Sequence, residues 1–275
     1  MIPTILVITN ISPSSQNALN YTCQLFQNQQ ARIIVLRIFA LTSGFAGDGL
    51  AMAAMAETVA SHEKWLEIEK ASVMEAFPGL DIETRMVAGT FDETLREQIA
   101  LENAAAVVFG EEGDHNALLS WDNYVLNAFI DLPVPVLLVP AGARFKTVSH
   151  IAFACNYKRE NLHGPVDTLK KMMTRLNCQL HFVHVTPENK GLSAEEQTWK
   201  QRWQNELHEY PVYFDELEDN DVVTALDRFC ESREVDLLAI RPHRAGIWAS
   251  IFDKSQTREI VNLNKLPVLA LRSTP

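Results

Sequence analysis

The chain begins its pattern with a β-branched and apolar run, TILVIT (4–9). Beyond Asn10, apolar residues return at helical spacing through Ala18, Tyr21, Leu25 and Phe26, and ARIIVLRIFA (31–40) is then a second buried strand. A strand, a helix and a strand in that order imply parallel pairing with a right-handed crossover. The alternation continues with a helix around Glu57–Phe77, a strand near Ile82–Val87 and a helix from Asp92 to Glu102. The strand AAVVFG (105–110), a helix around Tyr124–Ile130 and the strand PVLLVP (135–140) close the series. Five strands alternating with four helices predict a doubly wound α/β layer.

From residue 148 the series restarts. VSHIAFAC (148–155) ends at Asn156, a helix covers Pro165–Leu176, and QLHFVHV (179–185) is a strand. A polar helix surrounds Trp199 and Trp203, YPVYFDEL (210–217) is the third strand, DVVTALDRFCESREVDLLAI (221–240) reads as helix and strand, and TREIVNLNKLPVLAL (257–271) reads the same way. NAAAVVFG is answered by EVDLLAIR at an offset of 131, and PVLLVP by PVLALR at 132. The chain is therefore a duplication, with domains at 1–143 and 147–275 joined through AGARFK. Asn10 and Asn156 lie 146 apart, so the first copy is longer by about fifteen residues. The segment 42–59, rich in glycine and alanine, carries the excess, either as a flap or as a longer helix start with a loose loop.

Charge adds a second asymmetry. The 275 residues carry a formal charge of −11, with 6 Lys and Arg against 17 Asp and Glu in residues 1–143 and 18 against 18 in the remainder. An acidic chain lacks the concentrated basic face that nucleic acid or an anionic membrane requires. No apolar stretch approaches the roughly 20 residues of a bilayer span, and no basic leader is discernible, so a cytoplasmic protein is expected. Cys23, Cys155, Cys178 and Cys230 show no paired spacing and read as small buried hydrophobes.

Four features then stand in order: the turn Thr9-Asn10-Ile11-Ser12 after the first strand, Gly89, the pair Gly110 and Gly113 after the fourth, and PVLLVP. In this combination the chain resembles the universal stress protein family in its tandem form. The resemblance implies two five-stranded parallel α/β domains that pair intramolecularly through their fifth strands as a pseudo-dimer, with further dimerisation open. It also implies a stress-response role and a site for ATP or AMP built from G-x-x-G, nine residues and G-[S/T], with an aspartate after strand one. Here that aspartate is Asn10 in the first half and Asn156 in the second. Gly110 and Gly113 match, but the final pair falls on Asp122-Asn123 or Asn123-Tyr124. In the second half Arg241 and Arg244 replace both glycines, while Lys254-Ser255, with Thr257 nearby, keeps a hydroxyl.

A helix start favours an anion by about 0.3–1 kcal/mol, whereas a carboxylate about 6 Å from a phosphate costs on the order of 3 kcal/mol at an effective dielectric near 20. Glu111, Glu112, Asp114 and Asp122 are expected around the first recess, so repulsion should win there. Thr9, Asn10, Ser12, Gly110, Gly113 and Asn123 are then a degenerate nucleotide site that takes at most a weakly charged ligand, or the glycines only shape a turn. In the second half Asn156, Arg241, Arg244, Lys254, Ser255 and Thr257 form either an anion site or a salt-bridged surface.

His181 and His184 lie an odd number of residues apart on a strand and should face opposite ways, so no metal site is expected, although zinc with His150, Cys155 or Cys178 stays conceivable. Trp199 and Trp203, with Trp65 in the first half, read as helix residues packed on the sheet. The apolar segment GIWASIF (246–252) either covers the second recess or docks a partner. No nucleophile–base arrangement is discernible. The function expected is a non-catalytic binding or signalling module requiring no cofactor. The alternatives are an ATP- or AMP-binding protein with weak hydrolysis, or a scaffold for an unidentified protein partner.

Overall fold

A computed structural model describes residues 2–40, 49–111, 121–155, 157, 163–241 and 266–272. It divides into two units, Met1–Ala141 and Gly142–Pro275. The first contains β1 (Thr4–Ile8), α1 (Pro13–Phe26), β2 (Arg32–Phe39), α2 (Gly49–Ala76), β3 (Asp81–Ala88), α3 (Phe91–Glu102), β4 (Ala106–Glu111), α4 (Trp121–Asp131) and β5 (Val136–Pro140). Its strands lie in the order β3-β2-β1-β4-β5, all parallel. The second contains β6 (His150–Ala154), α5 (His163–Leu176), β7 (Gln179–Thr186), α6 (Ala194–Glu206), β8 (Val212–Glu218), α7 (Val222–Ser232), β9 (Leu237–Ile240) and β10 (Val268–Ala270). Its order, β8-β7-β6-β9-β10, repeats the first. In each unit the order reverses between the first strand and the fourth, and the crevice beyond the carboxyl ends of those strands is where such folds take ligands.

The central strands are buried on both faces, as their near-continuous β-branched runs require; Leu6, Val7, Ile8, Ile33, Ile34 and Leu36 are all buried. Side-chain caps start several helices. Ser12 caps α1 in a reciprocal box with Ser15, with Pro13 in the first turn, and Ser193 and Glu196 do the same for α6. Asp221 caps α7 through the N–H groups of Val223 and Thr224.

The length difference between the halves resolves in α2. This helix has 28 residues where α6 has 13. Residues 49–59 are helical, so the flap expectation is corrected for them, and the extra length is a longer helix start. Alanine and methionine, strong helix formers, make up most of that start. Residues 42–48 of the proposed flap, the expected helix after β9 and the GIWASIF segment lie outside the described residues.

The tryptophan stripe holds only in part. Trp203 is 1 % exposed, but Trp199 is half-buried beneath the Arg202 guanidinium at 4.6 Å, and Trp65 is also half-buried. All four cysteines are free and buried. Burial pushes the thiols of Cys23 and Cys230 up to about 12 and that of Cys178 up to about 11, so none is a nucleophile near neutrality. Among the described residues no helix is long and apolar enough to cross a membrane.

Candidate functional site

At the carboxyl end of β1 the chain makes a hydroxyl-rich turn. Thr9 is buried, and its Oγ1 accepts from the Ile11 N–H at 3.0 Å and lies 3.0 Å from Ser15 Oγ. Asn10 Oδ1 accepts from both Ser12 N, at 3.2 Å, and Ser12 Oγ, at 2.6 Å. Ser12 Oγ also lies 2.8 Å from Ser14 Oγ and caps α1 through the Ser15 N–H. Ile11 takes a left-handed backbone, φ 67°, to turn the strand into the helix. Of the predicted site residues, Thr9, Asn10 and Ser12 are thus brought together by one network. That network already occupies the oxygens of Asn10 and Ser12 in holding the helix start.

Gly110 comes from the other side of the crevice. It is a strand residue of β4, in register with Val139 of β5. A Cβ placed on it would lie 2.2 Å from the Ser14 carbonyl oxygen and 2.6 Å from the Ser15 nitrogen. The glycine therefore lets the first turn of α1 pack directly on β4, a contact that no side chain permits. Glu111, expected on the rim of the recess, is instead the last residue of β4 and only 5 % exposed, because the strand continues through it opposite Pro140. Asn123 falls in the first turn of α4, and Gly113 lies outside the described residues.

One group at this edge escapes a reading of motifs. Arg37, in the carboxyl half of β2, donates from Nη1 to the Thr9 carbonyl at 3.3 Å. It is half-buried, its Nε is buried without a hydrogen-bond partner, and among the described residues no carboxylate lies within ion-pair distance of it. Burial pulls the guanidinium below its ordinary range. His62 of α2 is close enough that burial first, and the Arg37 charge second, hold its imidazole below the usual value. The sequence signal was present: a cation interrupts the otherwise apolar run RIIVLRIF.

The second unit uses the same position differently. Its first strand ends at Ala154, and Tyr157, at the place matching Ile11, is fully buried. The Tyr157 ring lies 4.9 Å from that of His184 on β7 and 6.4 Å from Phe214 on β8. His184 Nδ1 is 3.0 Å from the Cys155 carbonyl, and its Nε2 is 3.6 Å from Glu196 Oε1 on α6. His181 faces the opposite side, with Nδ1 2.9 Å from Asp215 Oδ2 and its ring against Tyr213 and Phe229. The two histidines thus part to opposite faces, as their odd spacing requires. Among the described residues no three His, Cys, Asp or Glu side chains are grouped to hold a metal. Of the predicted anion cluster, Arg241 is the half-buried residue directly after β9, and Asn156, Arg244, Lys254, Ser255 and Thr257 lie outside the described residues.

Known proteins agree with this architecture. A universal stress protein from Archaeoglobus fulgidus superposes with a TM-score of 0.72 at 18% identity, covering 98% of each chain. A protein from Pseudomonas aeruginosa assigned to the same family gives 0.58 at 13% identity over 99% of this chain and 94% of its own. A functionally unknown protein from the same organism gives 0.57 at 12% identity over 99% and 93%. At these identities the likeness is one of fold. Among curated protein sequences none matches. The sequence profile described as the universal stress protein family matches residues 1–140, half of the chain, and the chain belongs to that family.

Proposed function

We propose that this universal stress protein is a non-catalytic binding or signalling module in a stress response, whose recesses no longer hold an adenine nucleotide through its polyphosphate. The observation that carries this reading is Gly110. In a phosphate cradle a glycine leaves room for a ligand against the backbone. Here the space beside Gly110 belongs to Ser14 and Ser15 of the protein's own helix. The side-chain oxygens of Asn10 and Ser12 are likewise engaged with each other and with α1. In the second unit Tyr157 and His184 fill the corresponding strand ends with aromatic side chains.

Charge supports the same reading. Residues 1–143 hold 17 acidic against 6 basic side chains, a poor match for a triphosphate. Calorimetric titration of the full chain with ATP and magnesium should give a Kd weaker than ~1 mM. Adenine nucleotide should also be missing from the small molecules released when the purified protein is denatured. Micromolar binding, or recovery of ATP or AMP in stoichiometric amount, favours the rival nucleotide-binding reading and ends this one.

A further inference from the structure

The strongest unexplained feature of the first unit is a positive charge with no counterion among the described residues. Arg32 and Arg85 each bridge Glu83 and Glu102. Arg37, on the same sheet, has among the described residues only the Thr9 carbonyl, although its half of the chain is acidic. Removing a cation partly from water without a partner is unfavourable, and a guanidinium offers a planar fork that matches a carboxylate. Such a group at the carboxyl edge of a doubly wound sheet stands where these folds take ligands.

A second observation describes what surrounds that charge. On α2 the positions Met52, Met55, Val59, His62, Leu66, Glu69 and Val73 recur three or four apart and form one stripe. Exposure falls along it: Met52 is 61 % exposed, Met55, Val59 and His62 are half-buried, and Leu66, Glu69 and Val73 are buried. With 28 residues, α2 is about 42 Å long, while the eight residues of β3 that follow it span about 26 Å. The helix therefore outruns the strands. Because α2 follows the carboxyl end of β2 and returns along the sheet to the start of parallel β3, the overhang of its amino-terminal part lies on the ligand side of the sheet, and its stripe there is methionine and valine. A polarizable methionine surface accommodates varied apolar shapes.

We propose that the first unit binds a small organic acid with a single carboxylate and an apolar body, the carboxylate paired with Arg37 and the body lying along Met55 and Val59. One cation matches one carboxylate, and an apolar wall matches a tail that a sugar or polyphosphate lacks. This assignment rests on the reading that polyphosphate binding has been lost, since it gives the same crevice a different occupant.

The test is an NMR and calorimetric titration of the full chain with a series of straight-chain carboxylates, acetate, butyrate, hexanoate and octanoate, and with 1-hexanol as the uncharged control. Affinity should rise along the acid series, hexanol should not bind, and shifts should centre on Arg37, His62 and Val59. Arg37→Gln should weaken hexanoate roughly tenfold to a hundredfold. Val59→Thr, which keeps the side chain's shape and adds no charge, should weaken hexanoate by a larger factor than acetate. Equal binding of hexanol and hexanoate, no dependence on chain length, or no binding at all overturns the proposal. If Arg37→Gln fails to fold, the comparison of hexanoate with hexanol on the unaltered protein still decides. A parallel titration with ATP and magnesium separates the two ideas: nucleotide binding refutes the loss of polyphosphate recognition, whereas failure of the acid series alone refutes only the carboxylate assignment.

Discussion

The two units share one strand order and differ at the strand ends. In the first, the residue after Phe109 is Gly110, onto which the backbone of α1 packs; its counterpart 131 positions later is Arg241. In the first, Ile11 turns the chain away from β1; its counterpart 146 positions later, Tyr157, folds a whole aromatic ring inward against His184. The buried strands that define the layer are mostly apolar in both units, and the polar side chains they do bury, such as His181 and His184, are held by hydrogen-bond partners. The strand ends carry no such common requirement. A duplicated scaffold can therefore keep its topology while its two crevices diverge in size, charge and aromatic content.

The sharpest way to break this comparison is to exchange the glycine. Gly110→Arg, which places the second unit's residue in the first, should prevent folding of the first unit, because even a Cβ would sit 2.2 Å from backbone atoms of Ser14. Gly110→Ala is the measurable version and should cost about 3 kcal/mol in urea unfolding. A loss below about 0.5 kcal/mol would mean that α1 can retreat from β4 at little cost, and the close packing would lose its explanatory place.

Tyr157 sharpens the other side. Tyr157→Ala should cost about 3–5 kcal/mol, as expected for emptying a fully buried aromatic position. Tyr157→Phe should be neutral or stabilising by about 1 kcal/mol, since the hydroxyl is buried without a hydrogen-bond partner among the described residues. A substantial loss in the Phe variant would reveal a role for the hydroxyl that the aromatic packing does not contain.

The smallest effect is in acid. Hydrogen bonds from Arg85 first, and from Arg32 after it, hold the carboxyls of Glu83 and Glu102 below the usual carboxylate range. Groups depressed in this way stabilise the fold above the ordinary carboxylate pKa, near 4, and that contribution is lost as pH falls through their lowered values. Stability of the first unit should therefore decline below about pH 4. Arg85→Gln should flatten that decline. An unchanged slope in the variant would show that these partly exposed pairs carry little weight.

Much of this was legible along the chain, and the exceptions share a cause. Alternating strands and helices depend on residues within a few positions of each other, and the duplication is the recurrence of that local pattern. Glu111 was expected at a recess rim, yet β4 runs one residue further by pairing with Pro140, a partner 29 positions away. Of the two readings of 49–59, a flap or a longer helix start, the structure shows the helix, because alanine and methionine favour it once α2 has a sheet to rest on. Arg37 carried a visible signal, a charge inside an apolar strand, but its lack of a carboxylate among the described residues depends on which side chains the fold brings beside it.

The sequence by itself determined the layered α/β architecture, its repetition and the location of both crevices, because hydrophobic periodicity acts over short spans of chain. Only the tertiary structure decided which groups the described part of each crevice presents. Whether Gly110 faces a ligand or the Ser14 backbone, whether Arg37 has a counterion and whether Tyr157 fills the strand ends are set by contacts between segments roughly 30 to 100 residues apart. Those contacts follow from how helices settle on the sheet, where a shift of an ångström turns open space into occupied space.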